Sequence, residues 1–258
     1  MAENFGNIIV FGETGAGKSS IINMIAGHEV AHISSGATGC TFQHQAYELP
    51  VHDRNFTIYD TAGLNEGDRG TVNRAAAMAA LYKLITGLDG GINLLVFCMR
   101  GPRIKKATHE NWKVFHEIIC KKEVPMVLVV TGLENEENMD EWWWTNRGTF
   151  EEQGIRPDAT ACITATRGRV LKDGSRAFDE QYEESRAKVM TTIVNNVLRH
   201  RHKFNKHHWL YDIIQGLLHF FGLIETCGAA DIQRIVDTCG MSGEEARRFR
   251  EEVANKQH

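Results

Sequence analysis

Eight residues constrain this fold more than any others. GETGAGKS at 12–19 fits the pattern G-x4-G-K-[ST] at each position. It lies between GNIIVF at 6–11, an apolar run suited to a buried strand, and KSSIINMIAG at 18–27, whose apolar spacing is that of a helix stopped by Gly27. Strand, glycine-rich loop and helix in that order turn the string into a mechanism. Glycines at 12, 15 and 17 let the backbone curl so that successive N–H groups face one anion, and the helix N-terminus adds its positive end. The residues Gly12, Glu13, Thr14, Gly15, Ala16, Gly17, Lys18, Ser19 and Ser20 are therefore expected to cradle the phosphates of a nucleotide. Lys18 is expected to reach the β- and γ-phosphates, and the Ser19 hydroxyl to ligate Mg²⁺.

The rest of the chain alternates in the same way. FQHQAYELPV and RNFTIYD read as two strands joined by a tight turn at His52–Asp53. A helix-like segment at 71–86, the apolar run INLLVFCM at 92–99, a helix at 107–121 and PMVLVVT at 125–131 follow. ATACIT at 159–164 is a short strand and 179–200 a long amphipathic helix. Continuous apolar runs are expected of strands covered on both faces, so the fold class is α/β: a mostly parallel six-stranded sheet with helices on both faces. That domain spans 1–200, and a helical C-terminal extension spans 201–258.

Composition narrows the function classes. With 42% hydrophobic and 24% charged residues the 258-residue chain is ordinary for a folded domain, and disordered or fibrous classes drop out. Lys+Arg 29 against Asp+Glu 33 leaves a net charge of −4, so no nucleic-acid partner is expected. The cysteines at 40, 98, 120, 162, 227 and 239 show no metal or redox spacing and are read as reduced. The glycine-rich turn comes too early for a signal peptide, so a cytoplasmic protein is expected, with peripheral membrane contact as the variant.

Two further elements belong with the loop. FTIYDTAGL supplies Asp60 at a strand end, 41 residues after Ser19, to hold the magnesium, and Gly63 three residues later, its N–H placed for a γ-phosphate. Between them a threonine is needed to cap Mg²⁺ when triphosphate is bound. Thr38 and Thr41, in SSGATGCTF, both qualify; Thr41, just before the next strand, is preferred. Lys18, Thr41 and Gly63 are the expected catalytic set, and Ser19, Thr41 and Asp60 the metal set.

GETGAGKS, the intervening threonine and DTAGL, with a hairpin between the last two, resemble the translation-factor-related class of P-loop GTPases. Within it the chain is similar to the septin-like group, which includes the GIMAP proteins, the chloroplast-envelope import GTPases and related fungal G-domain proteins. The resemblance covers about residues 5–200 and implies a G domain binding GTP or GDP with Mg²⁺. Such GTPases carry [NT]-K-x-D after the fifth major strand, its carboxylate accepting from guanine. Here Thr131-Gly132-Leu133-Glu134 stands there, so Glu134 keeps a carboxylate while Gly132 replaces the lysine that packs over the base. Thr164-Ala165-Thr166 lies where a Ser-Ala-Lys loop usually sits. Thr131, Glu134 and Ala165 are thus the expected base-end residues, with guanine preferred over adenine. Leu64 replaces the glutamine that orients the attacking water in many small GTPases, which implies slow hydrolysis. Members of the group often pair across the nucleotide face, so a homodimer could complete the site; His32 and Arg69 are candidate donors in cis or across such a dimer, with a plain exposed loop residue the preferred reading of each.

Outside the motifs, Trp142, Trp143 and Trp144 lie in an expected helix, where ~100° per residue keeps all three from facing one core. Residues 209–224 form an amphipathic segment behind the basic cluster 199–206. Docking on the G domain or on residues 229–253 is preferred there over a membrane surface, because Asp212 and neutral histidines weaken attraction to anionic lipid. Two short helices around Gly240 follow. The expected function is a GTP-binding switch with slow Mg²⁺-dependent hydrolysis. Its rivals are a nucleotide-stabilised scaffold and a GTPase anchored at a membrane by 209–224.

Overall fold

The apolar runs become strands. The structure, a computed structural model, describes residues 4–31, 44–61, 91–102 and 112–200, and residues 84, 88, 108, 109, 202, 216, 233, 236, 237, 243, 244, 246, 247, 250 and 251. In chain order the elements are β1 (Asn4–Gly12), α1 (Lys18–Ala26), β2 (His44–Val51), β3 (Arg54–Thr61), β4 (Leu94–Arg100), a π-helical segment Lys113–Ile119, β5 (Met126–Thr131), α2 (Met139–Glu152), β6 (Ala159–Cys162) and α3 (Asp179–Asn196). The six strands form one sheet in the order β2-β3-β1-β4-β5-β6. Only β2 and β3 run antiparallel, as the hairpin through His52 and Asp53; every other pairing is parallel.

Burial explains the apolar runs. Leu94 to Met99 and Met126 to Thr131 are buried at every position, as a strand covered on both faces requires. On one face α1 sets Ile21, Ile22, Met24 and Ile25 against Ile8, Val10, Val96 and Cys98, and α3 adds Val189 and Ile193. On the other, Phe11 stacks on Phe97 at 5.0 Å and on Phe115 at 3.8 Å, with Trp112 beside Phe97 at 6.3 Å. Fully burying each such side chain stabilises by about 1.5–3 kcal/mol.

The segment expected as a helix at 107–121 is helical at 108, 109 and 112, then π-helical over Lys113–Ile119, with the Cys120 N–H bonded five residues back to the Phe115 carbonyl. Trp112, Val114 and Phe115 are all buried there. Of the tryptophans, Trp142 and Trp143 are buried and pack on Phe150, while Trp144 is 67% exposed. Of the helix expected at 71–86 only Leu84 is described; it is helical and buried.

Past α3 the chain returns to the sheet. His202 exchanges two backbone bonds with Ile92, at 2.9 and 3.1 Å, and the Leu198 N–H reaches the Asn93 carbonyl at 3.1 Å. Of the 209–224 segment only Gly216 is described; it is helical, and a Cβ on it would stand 2.6 Å from Ile118 Cγ2. Farther on, Val236 and Ala246 are buried, and Arg250 donates to Gln233 Oε1 at 2.5 Å across the two short helical pieces. No helix among the described residues is long and apolar enough to cross a membrane.

A pair of buried asparagines holds β1, β4 and the end of α3 together. The Asn7 N–H donates to Asn93 Oδ1 at 2.9 Å, Asn7 Nδ2 to the Gly91 carbonyl at 2.8 Å, and Asn93 Nδ2 to the Leu198 carbonyl at 3.0 Å. Gly6 is required beside them, since a Cβ there would lie 2.2 Å from Asn93 Oδ1. Truncating Asn93 strands the buried Asn7 N–H, so Asn93→Ala should cost about 2–3 kcal/mol in urea unfolding with an unchanged denaturant slope.

Candidate functional site

Among its parallel neighbours β1 stands between β3 and β4, and the crevice beyond the carboxyl ends of these strands is where an open α/β sheet places a ligand. Gly12 ends β1 opposite Cys98 with φ +146, and a Cβ on it would lie 2.1 Å from the Cys98 carbonyl oxygen. The chain then turns, the Ala16 N–H bonding the Glu13 carbonyl at 3.1 Å, and enters α1 through Gly17 at φ +90. Gly17 also lies against Thr131, whose Cγ2 would be 3.1 Å from a Cβ.

Lys18 bonds within the loop and Ser19 bonds across to the end of β3. Lys18 is buried, and its ammonium donates to the Gly12 and Glu13 carbonyls, both at 2.9 Å. An ammonium has three donors, so one remains for a ligand. Ser19 Oγ donates to Asp60 Oδ2 at 2.9 Å, bringing α1 and the end of β3 together across 41 residues. The other oxygen, Asp60 Oδ1, is buried without a partner among the described residues. Burial raises the Asp60 carboxyl above its ordinary range, against the lowering pull of the Ser19 bond and the Lys18 charge. A buried carboxylate with one oxygen unpartnered, next to a hydroxyl, is a donor set of hard oxygens that fits a magnesium ion.

A second group of residues gathers one strand-gap away. The Thr131 hydroxyl lies 2.9 Å from the Ala16 carbonyl and 3.3 Å from that of Met99, so it braces the phosphate loop rather than facing outward. Glu134 Oε2 is 3.4 Å from the Thr164 hydroxyl, which also lies 3.1 Å from the Thr166 carbonyl. The Thr164 N–H is held by Ser185 Oγ of α3 at 3.1 Å, and Ala165 beside it is half-buried. The turns after β5 and β6 therefore come together around Glu134 and Ala165.

Thr38, Thr41 and Gly63, like Leu64, His32 and Arg69, lie outside the described residues. Thr14, Gly15 and Ser20 take their places on the loop and the first turn of α1. The structure also supplies partners that no pattern marks. Thr108 Oγ1 is 3.3 Å from Glu13 Oε1, and Thr108 lines a cavity of about 230 Å³ with Glu13, Thr14, Gly15, Ala16, Met99 and Arg100. Thr108 stands 95 residues from Glu13, beyond the reach of any local spacing.

Because the fold disfavours the charged form of Asp60, its carboxylate lowers stability at neutral pH in metal-free buffer. Asp60→Asn keeps an acceptor for Ser19 and removes the charge, so its Tm should be about 2–4 °C above the parent's without metal. The gap should close as pH falls through the raised Asp60 pKa and the parent carboxyl takes up its proton, and Mg²⁺ should stabilise only the parent.

Comparison with known proteins agrees with this geometry. Residues 7–132 match the family of 50S ribosome-binding GTPases. The GTPase Der of Halothermothrix orenii is 26% identical over 137 residues, 53% of this chain and 29% of its own. The tRNA modification GTPase MnmE of Brucella ovis is 31% identical over 115 residues, 42% of this chain and 24% of its own. The chain thus spans less than a third of the length of these curated relatives. Among solved structures, an Era variant of Aquifex aeolicus bound to GDP·AlF4⁻ superposes with a TM-score of 0.51 at 15% identity, covering 80% of this chain and 61% of that one. A structure of the chloroplast translocon components atToc33 and psToc159, for which dimerization is important for GTPase activity, gives 0.50 at 19%, covering 75% and 85%. At these identities the two structures speak to the fold. The phosphate loop, the sheet order and the superpositions together show the fold of a P-loop GTPase G domain, and over residues 7–132 the chain is similar to the family of 50S ribosome-binding GTPases.

Proposed function

We propose that this protein binds Mg·GTP over Gly12 to Ser20, hydrolyses it slowly and acts as a nucleotide-dependent switch. The observation that carries the proposal is the meeting of Lys18, Ser19 and Asp60 at the carboxyl end of β1 and β3. Backbone N–H groups of the loop and the third donor of Lys18 hold the phosphates, and Gly63 and Thr41 respond to the γ-phosphate. Ser19 and Asp60, with Thr41, would hold Mg²⁺, which when bound would supply charge to offset that developing on the transferring phosphoryl group. The chain's own residues contribute position and electrostatics, not a general base. Glu134, held beside Thr164 at the mouth of the β5 and β6 turns, accepts from the guanine edge, with Ala165 flanking it.

Leu64 cannot orient water, so a partner completes the site, and pairing of two chains across the nucleotide face is the arrangement we favour. The septin-like motif pattern supports it, as does the part dimerization plays in the GTPase activity of the chloroplast translocon components. The packing of Gly216 on Ile118 supports docking of the 209–224 segment on the G domain over anchoring at a membrane.

Single-turnover phosphate release from GTP, measured across protein concentration, tests both parts. The rate constant should be low, rise with concentration and need Mg²⁺, and Lys18→Ala should lower it by about a hundredfold or more. A constant that stays flat across concentration removes the dimer; no phosphate release from GTP at any concentration removes the enzyme. The copurifying nucleotide should be GDP or GTP, and finding ADP or ATP instead would overturn the role given to Glu134.

A further inference from the structure

Gly132 stands where this class of GTPase carries a lysine that packs over the base, and the structure shows what occupies the neighbouring space. Gly132 has φ +80, and a Cβ on it would lie 3.1 Å from Arg100 Cγ and 3.3 Å from Arg100 Nε. The Arg100 side chain therefore runs across the face of residue 132, where a side chain of that residue would begin. Its position is set by backbone. Arg100 is the last residue of β4 and pairs in parallel register with Thr131. The next N–H, that of Gly101, donates to the Thr131 carbonyl at 2.8 Å. A Cβ at Gly101 would meet Leu133 Cδ2 at 2.7 Å, so the exit of β4 and the turn 131–133 are in close contact.

The turn that Arg100 crosses leads into Glu134. Two residues beyond Gly132, Glu134 is held near Thr164. Arg100 also lines a cavity with Glu13 to Ala16, Met99 and Thr108. Arg100 itself is exposed, and among the described residues no carboxylate forms an ion pair with it. A guanidinium is planar, weakly hydrated and suited to lying on an aromatic face, and its methylene stem covers apolar surface as a lysine stem does.

We infer that Arg100, from the strand next door, takes over the role of the missing lysine and covers one face of the nucleobase held at Glu134. The inference rests on the reading of the site as a guanine-nucleotide site. It assigns Arg100 to the base and not to the phosphates, and this separates it from a residue that merely supports the loop.

The test compares two ligands on the full chain. GDP binding is followed with a fluorescent GDP analogue, and inorganic pyrophosphate is titrated in parallel as a ligand with phosphates and no base. Arg100→Ala should weaken GDP about tenfold, the usual loss for one stacked base, and leave pyrophosphate within about twofold. Arg100→Lys should recover most of the GDP affinity, because a lysine stem can lie over the same face. Equal weakening of both ligands would assign Arg100 to bracing the loop and overturn the inference, as would unchanged GDP binding in Arg100→Ala. If the parent binds pyrophosphate but not GDP, the guanine reading fails and the inference with it. If it binds neither, the phosphate-loop reading fails first. Arg100 is exposed, so circular dichroism and melting of the variants should match the parent.

Discussion

The close approach of β1 to β4 at Gly12 is the constraint on which the rest of the site depends. With any side chain at 12, a Cβ would stand 2.1 Å from a backbone carbonyl that cannot move without breaking the sheet. The absence of that atom lets β1 keep parallel partners on both sides up to its last residue and still turn into the phosphate loop. The loop carbonyls of Gly12 and Glu13 then accept from Lys18, and α1 starts where Ser19 can meet Asp60. Thr131 closes the arrangement from β5 by bonding Ala16.

This geometry places two opposite charges under partial burial, and they are treated differently. Lys18 has two carbonyl partners within the loop. Asp60 has one hydrogen bond and one unpartnered oxygen, and burial works against its ionisation. An unpartnered buried oxygen leaves local stability lower here than a closed network would give, and it is what the proposed cation and polyphosphate site would require of the protein alone. The asparagine pair at the opposite end of β1 shows the contrast: Asn7 and Asn93 are buried with their polar atoms engaged by backbone, and they hold the sheet without facing a ligand.

Much of the fold was legible because its signals are local. The apolar runs at 92–99 and 125–131 became β4 and β5 within two residues, and the hairpin at His52–Asp53 formed as the turn residues imply. The phosphate loop was legible for the same reason: its glycines, Lys18 and Ser19 act within one turn of chain. The tryptophan run was read correctly in part, since 100° per residue forces one of the three outward, and Trp144 is the one. Less legible was the π-helical segment Lys113–Ile119, where packing of Trp112 and Phe115 on Phe11 and Phe97 decides the backbone and a 3.6-residue period carries no trace of it.

By itself, then, the sequence determined the strand–loop–helix at 6–27, the parallel character of the sheet and residue types of the kind that hold phosphate and magnesium. These follow from φ preferences, apolar periodicity and donor chemistry, which are properties of short stretches. The tertiary structure alone decided that Ser19 bonds Asp60, that Thr131 braces Ala16 and that Thr108 meets Glu13. It also laid Arg100 across the gap left at Gly132 and brought Gly216 onto Ile118. Each of these joins residues 32 to 115 positions apart, and only the register of the sheet and the packing of helices on it set such distances.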